Sequence, residues 1–216
     1  MSAALDDIVA ALHPLRQPPA PPAWNHANLA QWIGTTRRTP ASVLLAIREN
    51  PQPRVVFTLR RSDLPDHPGQ VSLPGGRAEA DDKDALATAL REAEEETDLH
   101  AADATPLGYL DLLDTVSNYR VTPVVARLAD TAALVPAPAE VAEIFEVPLG
   151  FLLDPANLKL ITIDFGGRSH QLFEYVGSSP RIWGVTADIF ANLLVRMGRL
   201  DAATALASHT SLPEAC

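Results

Sequence analysis

Apolar side chains recur with a helical period in three segments of the chain. Residues 2–12, 84–97 and 186–197 each place apolar positions three or four apart, which is typical of an amphipathic helix. Shorter helices are predicted at 27–33, which carries Trp32, and at 201–208. In the segment 84–97 the apolar stripe consists of Leu86, Ala89, Leu90 and Ala93. A helix buries such a stripe, so the polar side chains of this segment should point away from the core.

Between these helices, β-rich runs alternate with turn signals. The predicted strands are 41–47, 55–59, 69–73, 107–116, 121–128, 158–165 and 170–176. Hairpin turns are expected at Asn50-Pro-Gln-Pro53, Ser117-Asn-Tyr-Arg120 and Gly166-Gly167. Strands dominate the middle of the chain and the helices lie around them. The pattern therefore indicates an α+β fold.

Prolines divide the N-terminal part of the chain from the rest. The run Pro18-Pro-Ala-Pro-Pro22 is expected to be extended, because each proline disfavours helix in the residue before it. We therefore predict a helical arm with a proline-rich linker over residues 1–39 and a main domain over residues 40–216.

Composition narrows the partners and the compartment. The net charge is −10, which repels nucleic acid backbones, so no nucleic acid partner is expected. The only cysteine is Cys216, which excludes an intrachain disulfide and suits a reducing cytosol. No apolar run approaches membrane-spanning length and no leader pattern is present, so no membrane partner is expected. A cytoplasmic protein is predicted.

The strongest chemical signal is a glycine pair followed by a carboxylate-rich helix. Gly75 and Gly76 precede a segment that carries Glu92, Glu94, Glu95 and Glu96. Like charges at helical spacing repel by about 0.2–0.5 kcal/mol per pair. Hard divalent cations such as Mg²⁺ and Mn²⁺ prefer oxygen ligands and would neutralise this charge. The alternative is a solvated charged helix face.

These residues resemble the signature of the Nudix hydrolase family, Gly-x5-Glu-x7-Arg-Glu-apolar-x-Glu-Glu-x-Gly-apolar. Its second half matches Arg91-Glu-Ala-Glu-Glu-Glu-Thr-Asp-Leu99. Two positions differ. Counting from Gly76, the first acidic position falls on Asp82, with eight residues rather than seven before Arg91. The late glycine is Asp98, and aspartate tolerates the left-handed conformation expected there, so the fold should survive.

A second segment resembles the coenzyme A pyrophosphatase branch of that family. This segment is Leu59-Arg-Arg-Ser-Asp-Leu-Pro-Asp-His-Pro-Gly-Gln-Val-Ser-Leu-Pro-Gly-Gly76, with Leu73 where the branch usually has phenylalanine. Residues 121–124 and 182–187 are further matches. The resemblance implies a Nudix α/β/α sandwich with a mixed β-sheet, Mg²⁺ or Mn²⁺ as cofactor, and a small-molecule nucleotide substrate. The oligomeric state stays open between a monomer and a homodimer.

The resemblance also implies roles for individual residues. The metal ligands would be Glu92, Glu95 and Glu96, and Arg91 is expected to pair with one of these glutamates. The base would be one of them or a carboxylate from a later loop, where the candidates are Glu140 and Glu143. Both later candidates are alternatively surface residues of a loop or short helix.

The predicted substrate-binding residues are Arg60, Arg61, Ser62, His67, Gly75, Gly76, Asn118 and Tyr119. Arginine suits phosphate because its planar fork forms two parallel hydrogen bonds. Strand alternation sends Arg60 and Arg61 to opposite faces, so at most one should face the site. His67 is alternatively a residue that stabilises its loop, and the two glycines alternatively form an ordinary turn. Trp183 is expected in the core.

The main hypothesis is metal-dependent hydrolysis of coenzyme A or its thioesters to 4′-phosphopantetheine and adenosine 3′,5′-bisphosphate. The first rival is a Nudix pyrophosphatase for another nucleoside diphosphate derivative, such as ADP-ribose or NADH. The second rival is a non-catalytic nucleotide-binding regulator. The segment 59–76 argues against the first rival, and the repulsive set of glutamates argues against the second.

Overall fold

A mixed β-sheet lies at the centre of the molecule. The computed structural model describes residues 3–29, 37–165 and 168–206, and these form an eight-stranded sheet, a two-stranded sheet and the surrounding helices. In chain order the elements are α1 (Ala3–Ala11), α2 (His26–Leu29), β1 (Thr39–Arg48), β2 (Arg54–Arg60), β3 (Val71–Ser72), β4 (Gly75–Arg77), α3 (Ala85–Thr97), β5 (Ala104–Tyr109), β6 (Leu113–Asp114), β7 (Tyr119–Leu128), β8 (Val141–Pro148), α4 (Leu149–Leu152), β9 (Leu158–Phe165), β10 (Arg168–Tyr175), α5 (Val185–Arg196) and α6 (Ala202–Ala205).

The strands β1 and β7 run parallel, and the other pairings are antiparallel. The expected hairpin between β1 and β2 is paired only next to its turn, where Ile47 lies opposite Val55. Farther along β1, strand β4 pairs instead, with Gly76 opposite Ser42. This exchange of partners brings the glycine pair to the sheet directly before α3.

Side chains of the sheet alternate between two hydrophobic layers. Leu44 and Val56 pack on one face with Ala89 and Ala93 of α3. The opposite face packs against α1 and α5 and includes Leu5, Ile8, Leu45, Ile47, Phe57, Phe190 and Leu193. Because successive strand residues point to opposite faces, one sheet serves both layers. The α/β/α sandwich with a mixed sheet, as expected from the resemblance, is confirmed.

The N-terminal arm contributes to this core. Leu5 and Ile8 of α1 are fully buried. A polar junction fixes the end of the arm: Arg196 of α5 donates to the carbonyl of Ala11 and to Asp111, and His13 lies 2.7 Å from the same carboxylate. The division at residue 39 stays a prediction, but the apolar face of the arm belongs to the same core as the sheet.

Other predicted elements differ at their ends. Helix α2 ends at Leu29, and Trp32 lies outside the described residues. The hairpin of β9 and β10 is confirmed, although Gly166 and Gly167 lie outside the described residues. Helix α5 begins at Val185, one residue before the predicted segment, and the hydroxyl of Thr186 donates to the carbonyl of Val71.

The last helix, α6, covers Ala202–Ala205, which is shorter than predicted, and residues beyond 206 are not described. In the part of the chain that the structure describes, no helix combines the length and the apolar character needed to span a membrane.

Candidate active site

Helix α3 presents the glutamates because both of its ends and its apolar stripe are fixed. The side chain of Asp84 accepts a hydrogen bond from Ala87 N at 2.9 Å and caps the first turn. Asp98 ends the helix at φ 56°, in the left-handed conformation that the sequence predicted for it. Ala89 and Ala93 are fully buried against the sheet. The carboxylates of Glu92 and Glu96 are therefore directed toward β4 and its glycines.

Glu96 is the most buried of the signature glutamates, with 6% of its surface exposed. Gly75 N donates to its Oε2 at 3.3 Å, and Arg60 Nη1 lies 3.8 Å from its Oε1. Burial is the main reason that the pKa of Glu96 is raised to about 7. The hydrogen bond from Gly75 and the charge of Arg60 lower the pKa, whereas the nearby carboxylates of Glu92 and Glu140 raise it further.

Glu92 lies against Gly76. A Cβ at Gly76 would be 2.5 Å from Glu92 Oε2, so only glycine leaves this carboxylate in place. Burial raises the pKa of Glu92, and the charge and hydrogen bond of Arg91 lower it. Glycine at this position thus has a concrete function, which is to let strand β4 approach the carboxylate.

Arg91 holds the acidic residues around it in place. Its Nη1 donates to Glu95 and its Nη2 to Glu92, each at 3.0 Å, so the expected pairing with a signature glutamate is present. Asp82 accepts from Nε and Nη2 of Arg91 at 3.1 Å. The hydrogen bonds from Arg91 are the largest cause that lowers the pKa of Asp82 to about 2. Asp82 therefore orients Arg91, a contact that the altered spacing of the motif obscured.

The donor chemistry of the cluster fits a hard divalent cation. Among the described residues, no group of three or more His, Cys, Asp or Glu side chains is arranged so that it could hold a metal ion. The carboxylate of Glu92 nevertheless raises the pKa of the buried Glu96, and a cation would relieve that repulsion. Glu95 is paired with Arg91 and is 58% exposed, so it is the outermost of the three predicted ligands.

The two later candidates for the base lie on opposite sides of the sheet. Glu140 lies at the end of the turn before β8, where its Oε2 is 3.6 Å from Arg60 Nη1. Glu143 is at the surface, as its alternative had it, but it lies inside strand β8 and not on a loop or short helix. Glu143 shares a face with Phe145, which packs in the α1–α5 layer, whereas Ile144 packs in the α3 layer. The structure thus brings Glu140, and not Glu143, to the carboxylates.

Arg60 and Arg61 also separate, as strand alternation predicted. Arg60 reaches Glu96 and Glu140 from the end of β2, and its Nε is buried with no hydrogen-bond partner among the described residues. Arg61 instead forms a bidentate pair with Asp63, at 2.9 and 2.7 Å, and donates to the carbonyl of Pro138 at 2.8 Å. Only Arg60 faces the carboxylate cluster.

The remaining predicted substrate ligands lie farther from the glutamates. Ser62 is exposed beside an open cleft of about 670 Å³, and no signature glutamate lines this cleft. His67 is exposed at φ 53° and lies 3.1 Å from Gln70 Oε1, which favours its loop-stabilising alternative. Asn118 accepts from Arg38 in the turn before β7, and Tyr119 begins that strand. No described contact joins these residues to Glu92 or Glu96.

Trp183 was expected in the core but is only partly buried. The guanidinium of Arg181 stacks over its ring at 4.8 Å, as in a cation–π contact. Trp183 therefore lies at the edge of the core, near the start of α5.

Solved structures with a similar arrangement have low sequence identity to this chain. The "Crystal Structure of a C. elegans Ap4A Hydrolase Binary Complex" has a TM-score of 0.45 and 18% identity, covering 51% of this chain and 80% of that chain. The NUDIX domain of Shewanella oneidensis NrtR complexed with ADP ribose has a TM-score of 0.43 and 20% identity, covering 55% of this chain and 77% of that chain.

Relatives found by sequence have a higher identity to this chain. A protein of Photorhabdus laumondii named "Uncharacterized Nudix hydrolase NudL" is 41% identical over 153 residues, which is 71% of this chain and 82% of that protein. A protein of the same name from Yersinia enterocolitica is 39% identical over 153 residues, covering 71% of this chain and 78% of that protein. The NUDIX domain model matches residues 37–161, more than half of the chain. The chain therefore belongs to the Nudix hydrolase family and is an enzyme of that family.

Proposed function

We propose that this enzyme hydrolyses the diphosphate bond of coenzyme A or its thioesters, with Mg²⁺ or Mn²⁺ held by Glu92, Glu95 and Glu96. The products would be 4′-phosphopantetheine and adenosine 3′,5′-bisphosphate. Family membership supports hydrolysis of a nucleoside diphosphate derivative. The choice of coenzyme A rests on the resemblance of residues 59–76 to the coenzyme A branch.

The observation that carries the proposal is the position of Arg60. Its guanidinium lies beside Glu96 and Glu140 at 3.8 and 3.6 Å, beyond hydrogen-bonding distance, and its Nε has no described partner. A buried donor without a partner is costly, so a substrate phosphate oxygen would satisfy it. Arg61 is already hydrogen-bonded through all three of its guanidinium nitrogens. We therefore assign phosphate binding to Arg60.

The reaction needs charge neutralisation and an oriented water molecule. A bound divalent cation supplies Lewis acidity toward the phosphate oxygens and lowers the pKa of water. We assign to Glu140 the role of accepting a proton from the attacking water, and its position across Arg60 from Glu96 supports this assignment. The water oxygen bonds to one phosphorus while the bridging P–O bond breaks, and the bonding electrons leave with the other phosphate. In this scheme Arg60 holds the 3′-phosphate of coenzyme A while the bond breaks.

The test is a comparison of kcat/KM for coenzyme A, dephospho-coenzyme A, ADP-ribose and NADH with Mg²⁺ or Mn²⁺. Coenzyme A should be preferred over dephospho-coenzyme A by about ten- to a hundredfold, the effect of one charge-assisted hydrogen bond. Chelation of the metal should abolish turnover. A higher kcat/KM for ADP-ribose or NADH would replace coenzyme A with the rival substrate. Binding without any turnover would identify a regulator.

Variants of Arg60 show which phosphate it contacts. Arg60→Ala should reduce the preference for coenzyme A over dephospho-coenzyme A, whereas Arg54→Ala, at the other end of β2, should leave it unchanged. An equal loss on both substrates would mean that Arg60 binds the diphosphate and not the 3′-phosphate.

A further inference from the structure

The turn that carries Glu140 is attached to the rest of the molecule on two sides. On one side, Ala137 N donates to the carbonyl of Glu96 at 2.9 Å, and Val135 N donates to the carbonyl of Thr97 at 2.9 Å. These bonds use carbonyls at the C-terminal end of α3, which lack partners within the helix. The beginning of the turn is thereby fixed to the metal-binding helix.

On the other side, the turn is attached to Arg61. The backbone N–H of Arg61 donates to the carbonyl of Glu140 at 2.9 Å, and its Nη1 donates to the carbonyl of Pro138 at 2.8 Å. Asp63 accepts from the two other guanidinium nitrogens. This bidentate pair fixes the plane of the guanidinium and hence the direction in which Nη1 points.

We infer that Arg61 and Asp63 act together as a strut that positions Glu140 for catalysis, rather than as ligands of the substrate. This inference rests on the proposed function, in which Glu140 accepts the proton. The side chain of Glu140 is 54% exposed, so packing contributes little to its placement and the backbone of its turn has to supply it. Asp63 is a positioning residue in this scheme, because it reaches Glu140 only through Arg61.

The charge state of the pair agrees with a structural role. The hydrogen bond from Arg61 lowers the pKa of Asp63 to about 2, so the carboxylate is ionised throughout the physiological range. The positive charge of Arg61 is therefore balanced before any substrate binds. A phosphate group at Arg61 would have to displace Asp63, whereas the Nε of the neighbouring Arg60 has no hydrogen-bond partner among the described residues.

The test is a double-mutant cycle between Asp63 and Glu140 in the full-length chain, assayed with coenzyme A and Mg²⁺. Asp63→Ala should lower kcat by about tenfold and change KM by less than about twofold, because the substrate contacts stay intact. In a Glu140→Gln background the same change should have no further effect on kcat. Asp66→Ala removes an exposed carboxylate from the same loop and should leave kcat unchanged.

Independent effects of Asp63→Ala and Glu140→Gln on kcat, or an effect of Asp63→Ala on KM alone, would overturn the strut. So would wild-type kcat in Glu140→Gln, because no catalytic carboxylate would then be positioned. A loss of kcat in Arg61→Lys supports the strut, since lysine cannot bond Asp63 in a fork and also reach Pro138.

Amide hydrogen exchange separates a failure of the strut from a failure of the proposed function. Exchange across residues 137–141 should become faster in Asp63→Ala and not in Asp66→Ala, whether or not the enzyme hydrolyses coenzyme A. Unchanged exchange in Asp63→Ala would overturn the strut even if the proposed function holds. If no diphosphate is hydrolysed by the wild type, the proposed function fails, and the exchange result still decides whether the strut exists.

Discussion

Glu96 combines two features that both disfavour its charged form in a protein without bound metal. It is almost fully buried, and the carboxylates of Glu92 and Glu140 lie close enough to raise its pKa further. A buried carboxylate near like charges costs folding free energy. A residue of this kind is expected where a cation or a reaction needs it.

Replacing Glu96 with glutamine should therefore separate activity from stability. Glu96→Gln should lower kcat/KM for coenzyme A by at least about a hundredfold, because it removes the charge of a proposed metal ligand. Without metal at pH 8, its free energy of unfolding should equal or exceed that of the wild type by a few tenths of a kcal/mol. Steady-state kinetics and urea unfolding measure the two effects.

The matched control is Glu94→Gln, which changes the same charge on the same helix. Glu94 is exposed and lies 3.9 Å from His100, away from Glu92 and Glu96. Its kcat/KM should stay within about twofold of the wild type, as for a surface substitution. Comparable losses in the two variants would remove Glu96 from the metal site.

Asp114 shows the opposite balance, in which ionisation stabilises the fold. Its side chain is fully buried and accepts hydrogen bonds from Arg120 at 2.7 and 3.0 Å, and it lies 2.7 Å from His26 Nδ1. Burial alone would raise the pKa of Asp114, but these partners outweigh it and lower the pKa. A lowered folded-state pKa stabilises the protein above the unfolded-state pKa, and this stability is lost as the pH falls through the folded-state value.

We expect Asp114→Asn to lower the free energy of unfolding at pH 6 by about 1–3 kcal/mol. The deficit relative to the wild type should shrink below about pH 4, where the unfolded-state carboxyl of the wild type takes up a proton. Urea unfolding from pH 3 to pH 6 measures this difference. A deficit that is constant with pH would contradict the assigned ionisation, and Asp66→Asn serves as the exposed control.

At the scale of elements, the pairing of β4 with β1 sets the distance between the glycines and helix α3. Gly76 lies opposite Ser42 in the ladder, so its Cα is held by backbone hydrogen bonds and cannot retreat from Glu92. The ladder thereby determines how closely the backbone approaches the carboxylate.

Gly76→Ala should consequently reduce activity more than stability. The added methyl group meets the carboxylate of Glu92, the far end of a flexible side chain, so the fold should survive while Glu92 moves. A decrease in kcat of about ten- to a hundredfold is expected, as for a misplaced catalytic group. Gly150→Ala, where an added Cβ meets nothing within 4 Å, is the control and should retain its kcat. A normal kcat in Gly76→Ala would mean that the position of Glu92 does not matter for catalysis.

The sequence predicted those elements whose signals are local. The stripe of α3 and its two ends are encoded within fifteen residues, and Asp98 takes the left-handed conformation expected for it. The opposite orientations of Arg60 and Arg61 followed from strand alternation. Which of them faces the glutamates depends on the register of β2 and on the irregularity between Leu59 and Arg60, and neither is visible in a single sequence.

Contacts between distant parts of the chain were beyond sequence reasoning. Arg61 meets Pro138 across 77 positions, and the position of the exposed Glu143 on the α1–α5 side of the sheet depends on pairing with Leu59. Asp82 and Arg91 are only nine positions apart, and the extra residue before Arg91 was the sequence signal of their contact. That residue shifts the acidic position along the loop, and the long side chain of Arg91 still reaches it.

For the whole molecule, the arm should be as important for stability as the sheet. Leu5→Ala or Ile8→Ala should each lower the free energy of unfolding by about 2–5 kcal/mol, since both side chains are fully buried in the α1–α5 layer. Leu15→Ala, at 41% exposure, should cost less than about 1 kcal/mol. Urea unfolding of the three variants gives the comparison. Small and equal costs would mean that the arm folds separately from the domain.

Divalent cations should also stabilise the whole molecule through the carboxylate cluster. A ligand that binds only the native state raises stability by about 2.7 kcal/mol at a hundredfold excess over its Kd. The Tm should therefore rise with Mg²⁺ or Mn²⁺ in the wild type and stay constant in Glu92→Gln/Glu96→Gln. An equal rise in both proteins would place the cations elsewhere.

The junction of Arg196 with Ala11, His13 and Asp111 has a consequence for biosynthesis. The ribosome makes α1 before α5, and 173 residues lie between Ala11 and Val185. Until then, the apolar face of α1 has no helix to cover it, and nascent chains with exposed apolar surface attract chaperones and aggregate. A chain whose synthesis ends before Val185 would thus keep the apolar face of α1 exposed. Slow translation of the β9–β10 region should increase the dependence of this enzyme on chaperones.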